Sequence, residues 1–278
     1  MLFADRELDL SVPRIMGVLN VTPDSFSDGG RFNHPERALE HAQEMIEAGA
    51  DFIDVGGEST RPGAAPVSEQ EELDRVCPVV ERLLRDTDAL VSVDTSSPAV
   101  MREGIRMGVH LLNDVRAFRR PGAIEAVRDA SQALCIMHMQ GEPGTMQDNP
   151  VYDNVVEEVR TFLLNRAREL VAGGIGSRRL LIDPGFGFGK DLAHNLALLK
   201  RLDRMVDTGY PVLAGMSRKR MIGALTGRDT PDRVVGSAVA AALAVERGVH
   251  IVRVHDVAET LDAVRVAHAI RGLKEYGH

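Results

Sequence analysis

The feature that most constrains the fold is an alternation of strand-like and helix-like segments that repeats eight times along the chain. Short apolar runs typical of buried parallel strands are each followed by a longer stretch with helical spacing of its apolar residues. The strand-like runs are 15–19, 52–55, 90–93, 111–112, 134–137, 180–182, 212–214 and 251–254; the helical patterns are 35–48, 68–85, 98–107, 122–130, 154–172, 192–206, 231–247 and 258–273. Because parallel strands need right-handed crossovers, two α/β architectures fit: an open doubly wound sheet or a closed (β/α)₈ barrel.

The spacing and the first loop favour the barrel. Eight units in about 265 residues is the usual size of a (β/α)₈ barrel. An open sheet with a dinucleotide site would carry GxGxxG after its first strand, where this chain has Asn20-Val21-Thr22-Pro23-Asp24. The sequence therefore predicts a single TIM-barrel domain over residues 14–278, preceded by a lead-in segment, residues 1–13, that could form a small hairpin.

The composition limits which kinds of partner and which cellular compartment are expected. A net charge of −8 argues against a nucleic-acid partner. Cys77 and Cys135 lie in apolar runs away from any CxxC pattern, and we interpret both as small buried residues rather than disulfide partners. We see no signal peptide and no apolar run of membrane length, which predicts a soluble, cytoplasmic protein without a membrane partner.

Polar residues follow the predicted strands at the ends where barrels place their chemistry. Three of them, Asn20, Arg253 and His255, should lie together, because strand 8 neighbours strand 1 in a closed barrel. Arg253 and His255 are two residues apart on one strand, so their side chains point the same way. An arginine fork beside an amide and an imidazole suits a phosphate-like anion.

The middle strands contribute Asp94, Asn113 and Asp183, a set that suits a heterocycle with several N–H groups. Helix capping or a structural ion pair is the alternative for Asp94 and Asp183. For other polar residues at the strand ends we favour a structural role, His138 by ordering the long fifth loop; these residues are His138, Glu58, Asp114 and Asp256. The role of Lys190 is left open between structure and function.

The motifs at these positions resemble those of the dihydropteroate synthases. They occur in that family's order, from about Ile15 to Leu273, and are NVTPDSFSDGG, GGESTRPGA, VDTS, ND, MHMQGEPGTMQ, DPGFGFGK, GMSRKRMIG and RVHDV. The resemblance implies a (β/α)₈ barrel, usually a homodimer, that joins 4-aminobenzoate to 6-hydroxymethyl-7,8-dihydropterin pyrophosphate. It also implies release of 7,8-dihydropteroate and pyrophosphate, dependence on Mg²⁺, and competition by sulfonamides at the aminobenzoate site.

The resemblance also implies roles for individual residues. The pterin contacts would be Asp94, Asn113, Asp183 and Lys219. The pyrophosphate contacts would be Asn20, Arg253 and His255, with Asn20 also reaching Mg²⁺. Residues around aminobenzoate would be Thr60, Arg61, Pro62, Phe188 and Ser217, with Arg218 beside them, and Phe26 and Asp28 would belong to a first loop that closes over the site.

These roles fit chemistry in which no activated nucleophile is needed. A neutral arylamine attacks a methylene carbon that carries pyrophosphate, and no Ser-His or Cys-His pair is evident. The residues expected to act on the reacting groups are Asp28, Lys219, Arg253 and His255. Arg253 and His255 stabilise the leaving group, Asp28 adds negative charge near a cationic pterin, and Lys219 reaches the oxo edge of the pterin and its junction with aminobenzoate. Two alternatives remain at this point: a pterin-binding methyltransferase of the corrinoid type, and a catalytically silent pterin-binding paralogue.

Overall fold

Parallel strands surrounded by helices form a barrel, as the alternation predicts. The computed structural model describes residues 1–22, 34–59, 67–141, 146 and 150–273. An antiparallel hairpin of β1 (Leu2–Phe3) and β2 (Arg6–Glu7) comes first. The barrel strands are β3 (Arg14–Asn20), β4 (Phe52–Gly56), β5 (Leu90–Asp94), β6 (Leu111–Asp114), β7 (Ala133–Met137), β8 (Leu180–Asp183), β9 (Leu213–Ala214) and β10 (Ile251–Val254).

The sheet curls round until its first and last strands meet. Its order is β8-β7-β6-β5-β4-β3-β10-β9, with every pairing parallel. A parallel bridge between Ile182 and Val212 joins β8 to the residue before β9, and the Ile182 N–H donates to Pro211 O at 2.9 Å. The predicted (β/α)₈ barrel is therefore confirmed.

The helices lie between the strands and follow the predicted pattern with three differences. They are α1 (His34–Glu47), α2 (Glu69–Asp86), α3 (Pro98–Met107), α4 (Ala123–Val127), α5 (Val155–Ala172), α6 (Leu192–Lys200), α7 (Asp203–Val206), α8 (Arg220–Thr226), α9 (Val234–Glu246) and α10 (Val257–Arg271). Among the described residues, no helix has the length and apolar character to cross a lipid bilayer.

The differences have local causes. The pattern over 192–206 predicts one helix, but the backbone at Arg201 leaves the helical region (φ −115°, ψ 33°) and separates α6 from α7. The pattern over 122–130 extends past Val127, where α4 ends. The seven-residue α8 is too short to show a periodic pattern, and it begins directly after Lys219.

Alternate residues along a barrel strand pack into two different apolar clusters, one outside the barrel and one inside it. Ile53 and Val55 of β4 pack outward with the helices, in one large cluster. Phe52 of the same strand faces the barrel interior in a second cluster, with Met16, Leu90, Leu111, Ala133, Cys135, Leu181, Leu213 and Ile251. This period of two is what parallel strands with helices on one side and a packed interior on the other require.

The N-terminal hairpin seals the end of the barrel opposite to the strand carboxyl ends. Phe3 is fully buried in the interior cluster, and its ring centroid lies 5.0 Å from that of Phe52 in an edge-on arrangement. The lead-in segment therefore supplies a plug that the barrel strands do not provide.

Replacing this plug should destabilise the protein without affecting the opposite end of the barrel. We expect Phe3→Ala to lower the free energy of unfolding by about 3 kcal/mol, the usual penalty for truncating a buried phenylalanine. The melting temperature should fall by about 6–12 °C. The adjacent Leu2→Ala is the matched control, since Leu2 is 55% exposed. Equal melting temperatures for the two variants would contradict the plug.

Candidate active site

Four residues stand in register at the carboxyl ends of neighbouring strands. Asn20 of β3 pairs with Gly56 of β4, Gly56 with Asp94 of β5, and Asp94 with Asn113 of β6. Gly56 has no side chain, and a Cβ there would lie 3.7 Å from Asn20 Oδ1 and 3.8 Å from Asp94 Oδ2. The Gly56 backbone is therefore in close contact with two side-chain oxygens, one from each neighbouring strand.

An arginine between two carboxylates lies one layer deeper. Arg253 of β10 donates from Nε to Asp54 Oδ2 at 2.6 Å and from Nη2 to Asp94 Oδ2 at 2.9 Å. Asn113 Nδ2 also donates to Asp54 Oδ2, at 3.2 Å. Because β6 and β10 are each two strands away from β4, these contacts can form only through the barrel interior.

Asp54 is the central residue that the sequence analysis missed. The sequence pattern over 52–55 predicts an ordinary buried strand, although this run contains a carboxylate at a position that faces inward. An Asp in the middle of an apolar strand is itself a signal, since a fully buried charge needs a partner. Its side chain joins a predicted pterin contact, Asn113, to a predicted pyrophosphate contact, Arg253.

This layer is not fully satisfied by hydrogen bonds. Asp54 and Ser92 stand opposite each other on β4 and β5. Asp54 Oδ1 and Ser92 Oγ are buried and have no hydrogen-bond partner in the described part of the chain. A buried acceptor without a donor destabilises a protein by about 1–3 kcal/mol, so the arrangement is not one that stability alone would select.

Burial and neighbouring charges set the protonation of Asp94 and Arg253. Both lie in the barrel mouth, the end of the barrel at which the strands have their carboxyl ends. Burial raises the pKa of the Asp94 carboxyl, Arg253 opposes that shift, and the negative charge of Asp54 adds to it. Burial would lower the pKa of Arg253, but the carboxylates of Asp54 and Asp94 more than offset this and keep the guanidinium charged. The predicted anion site therefore contains a fixed cation whose Nε and Nη2 are engaged by carboxylates.

Asp183 and Lys219 occupy the other side of the mouth. Asp183 is buried and accepts the Gly185 N–H on Oδ1 at 2.7 Å. Burial raises the pKa of Asp183, and the Lys219 charge opposes that shift. Burial also disfavours the charged form of Lys219 and lowers its pKa to about 8, and the Asp183 charge opposes that shift. The two groups thus stabilise each other's charged forms.

An apolar wall stands next to this pair. Phe188 is half-buried and packs against a small cluster of Val115, Met137, Met139 and Met146. The Lys219 ammonium lies 4.7 Å from the centroid of the Phe188 ring, within cation–π distance. A flat ligand could therefore lie against apolar side chains while its edges meet Asp94, Asn113 and Asp183.

The residues after β9 and β10 form a third group. The Ser217 hydroxyl lies 3.1 Å from the His255 Nδ1 and also accepts the His255 backbone N–H at 3.1 Å. Burial and the Arg253 charge lower the pKa of His255 to about 4, so its imidazole is neutral near pH 7. Arg218 makes an ion pair with Asp256 at the rim.

Several polar residues have the structural roles that the sequence favours. Asp114 is fully buried and accepts from the backbone N–H groups of Arg116 and Phe118 at 2.8 and 2.6 Å. Glu58 pairs with Arg116 at 3.5 Å, and Asp256 pairs with Arg218. The His138 ring lies 6.1 Å from the ring of Tyr152, in the loop that follows it, which agrees with the expected role in ordering that loop; it also contacts Lys190 and Phe162.

Asp28, Thr60, Arg61 and Pro62 lie outside the described residues, as does Phe26.

The described residues do not form a complete protein cage for a metal. Among them, no group of three or more His, Cys, Asp or Glu side chains could hold an ion. Mg²⁺, however, commonly keeps its waters and binds a phosphate ligand through one or two protein oxygens. Asn20 Oδ1, at the carboxyl end of β3 beside Gly56, is an oxygen ligand of that kind, so the residues fit Mg²⁺ brought in with a diphosphate.

The contact between Asp54 and Arg253 can be tested by measuring the pKa of the neighbouring Asp94. We expect Asp54→Asn to lower the pKa of Asp94, because it removes a negative charge that raises this pKa and leaves Arg253 to pair with Asp94 alone. Carboxyl NMR titration measures the change. Asp51→Asn serves as the control, since Asp51 pairs with Arg14 at the other end of β4. An unchanged or raised Asp94 pKa in Asp54→Asn would contradict the arrangement.

Comparison with known proteins agrees with the motifs and the fold. The family described as "Pterin binding enzyme" matches residues 16–255. Over 268 residues, the chain is 52% identical to the dihydropteroate synthase of Escherichia coli (strain K12), covering 96% of this chain and 95% of that relative.

Solved structures of high similarity point to the same family. The dihydropteroate synthase of Yersinia pestis, solved with a sulfonamide drug complex, has a TM-score of 0.94 at 50% identity and covers 98% of this chain and 99% of its own. The Xanthomonas albilineans dihydropteroate synthase, solved with 4-aminobenzoic acid, has a TM-score of 0.92 at 51% identity and covers 98% of each chain. The resemblance is thus confirmed, and the chain belongs to the dihydropteroate synthases, transferases of folate synthesis built on a pterin-binding (β/α)₈ barrel.

Proposed function

We propose that the barrel mouth joins 4-aminobenzoate to 6-hydroxymethyl-7,8-dihydropterin pyrophosphate. The amine nitrogen would form a bond to the pterin methylene carbon while the bond from that carbon to the pyrophosphate oxygen breaks. The products are 7,8-dihydropteroate and pyrophosphate, and the amine proton passes to solvent. The observation that carries the proposal is the convergence of buried carboxylates, an arginine and a lysine beside an apolar wall. The aminobenzoate found in the X. albilineans enzyme supports the choice of nucleophile.

The pterin would lie between the wall and the carboxylates. Asp94 and Asp183 can accept hydrogen bonds from N–H groups on the ring edge, and Asn113 can both donate and accept. Lys219 can donate to an oxo group from the opposite side. As the carbon–oxygen bond breaks, positive charge develops on the pterin, and the nearby carboxylates stabilise it.

The leaving pyrophosphate would be held by Asn20, Arg253 and His255. Arg253 has its Nε and Nη2 on carboxylates, and among the described residues no acceptor engages its Nη1, which can therefore donate to the anion. His255 is neutral near pH 7 and can act as a hydrogen-bond donor without adding charge. Mg²⁺, bound through Asn20 and the pyrophosphate oxygens, would supply charge neutralisation when present.

The aminobenzoate subsite is proposed from the motifs and from two described residues. Phe188 lies in the loop after β8, beside the Lys219 ammonium, and Ser217 lies in the loop after β9, two residues before Lys219. Thr60, Arg61 and Pro62 are proposed to complete this subsite, and Asp28 to add negative charge near the developing cation. Exclusion of water from such a cation favours aminobenzoate as the acceptor. We propose that sulfonamides compete here, as the drug complex of the Y. pestis enzyme suggests.

We also propose that the protein is a homodimer that works in the cytoplasm. Val235, Val239 and Leu243 of α9 are exposed at spacings of four residues, which places them in one stripe. On the adjoining α10 and just after it, Val266, Ile270 and Leu273 are exposed at similar spacings. An apolar patch across two packed helices is typical of a subunit interface. The two cysteines are free thiols, which suits a reducing compartment.

Turnover by the purified protein tests the proposed reaction, and substitutions of the adjacent residues Lys219 and Arg218 test the assignment of the site. We expect Lys219→Ala to lower kcat by about 100-fold or more, because it removes the donor that holds the oxo edge of the pterin in place for the reaction. Its melting temperature should stay level or rise, because Arg218 and Lys219 are adjacent cations at the start of α8, where positive charge is unfavourable, and this gain offsets the loss of the Lys219 charge near Asp183. Arg218→Ala should lower kcat by less than about tenfold, since Arg218 points to Asp256. Near-normal turnover in Lys219→Ala with loss in Arg218→Ala would reverse the assignment.

The dimer is tested by placing a charge in the apolar stripe. We expect Val239→Glu to shift the protein from dimer to monomer in sedimentation experiments, because a carboxylate buried in an interface lacks a partner. Val171→Glu is the control, since Val171 is 40% exposed on α5, away from the stripe. A parent protein that sediments as a monomer would refute the dimer.

A further inference from the structure

A second lysine is buried below the catalytic mouth and uses all of its hydrogen-bonding capacity. Lys190 is 2% exposed. Its Nζ lies 2.9 Å from each of three acceptors: Gly185 O, Phe188 O and His138 Nδ1. An ammonium has three N–H donors, so this arrangement engages each of them. Two of the three acceptors are carbonyls of the same loop, residues 184–189, which follows β8.

The histidine in this cluster is an acceptor rather than a second cation. Burial and the positive charge of Lys190 lower the pKa of His138 to about 2. The imidazole is therefore neutral at neutral pH, and its short contact with the Lys190 ammonium, which can only donate, assigns the ring proton to Nε2 and leaves Nδ1 to accept. Burial also lowers the pKa of Lys190, to about 7, while Asp183 opposes that shift. The cluster thus binds the loop to the end of β7, where His138 is located.

The loop itself is shaped for close contact with β7. Gly185 and Gly189 both have positive φ, +68° and +61°. A Cβ on Gly185 would lie 1.9 Å from His138 O, and one on Gly189 would lie 2.4 Å from Gln140 O. A side chain at either position would clash with this backbone, so the loop packs directly against residues 138–140, which follow β7, and Lys190 bonds it there.

The same loop also contacts Lys219, through Phe186 and Phe188. The Lys219 Nζ donates to Phe186 O at 2.5 Å and lies over the Phe188 ring. A Cβ on Gly187 would lie 3.2 Å from Lys219 Cδ, so the lysine stem runs along the loop backbone. The loop therefore has one lysine beneath it, bound to Gly185 O and Phe188 O, and another above it, bound to the intervening Phe186 O.

We infer that Lys190 is a positioning residue: it holds the loop 184–189 from below so that this loop places the Lys219 ammonium beside the substrates. Lys190 itself touches no reacting atom. The inference deepens the proposed function and rests on Lys219 as a substrate contact. A merely structural lysine would affect stability, whereas a positioning lysine must act on turnover through Lys219.

A double-mutant cycle separates these two roles. The variants are Lys190→Met, which keeps length but removes the donors, Lys219→Met, and the combination, with kcat, both KM values and melting temperature measured for each. Lys200→Met, an exposed lysine at the end of α6, is the control. We expect Lys190→Met to lower kcat by about tenfold or more at temperatures where it is folded, and Lys200→Met to stay within about twofold of the parent. In the Lys219→Met background, Lys190→Met should lower kcat by less than about threefold.

Each other outcome overturns a specific statement. Losses that multiply in the double variant, or normal kcat in folded Lys190→Met, would show that Lys190 does not act through Lys219. Normal turnover in Lys219→Met alone would instead overturn the proposed role of Lys219. If Lys190→Met does not fold, Tyr152→Phe replaces it, because the Tyr152 hydroxyl bonds Gly189 O of the same loop at 2.8 Å. A smaller kcat loss that disappears in the Lys219→Met background supports the inference, and a multiplicative or absent loss overturns it.

Discussion

The ion pairs of Arg253 with Asp54 and Asp94 are the interaction on which the mouth of the barrel depends. Asp54 is fully buried, and an isolated carboxylate in such a place would be protonated or would unfold the strand ends. A guanidinium suits this position because its planar fork can serve two carboxylates and still present a further N–H group. Removing Arg253 would therefore affect more than a single ligand contact, since two uncompensated acids would remain inside the barrel.

The two halves of the mouth use different cations for different tasks. On the β10 side, Arg253 remains charged whatever binds and is fixed by carboxylates from β4 and β5. On the β8 side, burial moves the pKa of Lys219 close to neutrality, and a glycine-rich loop fixes its ammonium. A permanent charge suits the pyrophosphate, which is anionic throughout the reaction. A compact, more easily discharged ammonium suits the pterin side, where the developing charge is positive.

The sequence allowed the site residues at the ends of strands to be predicted better than those inside strands or folded back under loops. Asp94, Asn113 and Asp183 could be predicted as one group, and Arg253 as a member of another, because parallel strands end at one rim; the ion pair between Arg253 and Asp94, which links the two groups, could not. Asp54 was missed because it lies inside a strand, where a hydrophobic run conceals the inward-facing position. The role of Lys190 could not be assigned, since a lysine after a glycine-rich loop looks the same in sequence whether it faces a ligand or folds back under the loop. Its direction depends on His138, which is 52 residues away in the chain.

The unsatisfied and shifted groups indicate that this mouth is arranged for ligand binding at the expense of stability. The folded-state pKa values of Asp94 and Asp183 are raised, so the folded protein binds protons more tightly than the unfolded chain. Their contribution to stability is then complete below the ordinary carboxyl pKa and is lost as the pH rises through the raised values. At neutral pH, burying these carboxylates opposes folding, and the two apolar clusters must compensate. N–H donors from a pterin would remove part of this penalty, which makes the ionised, less stable mouth the form that binds substrate.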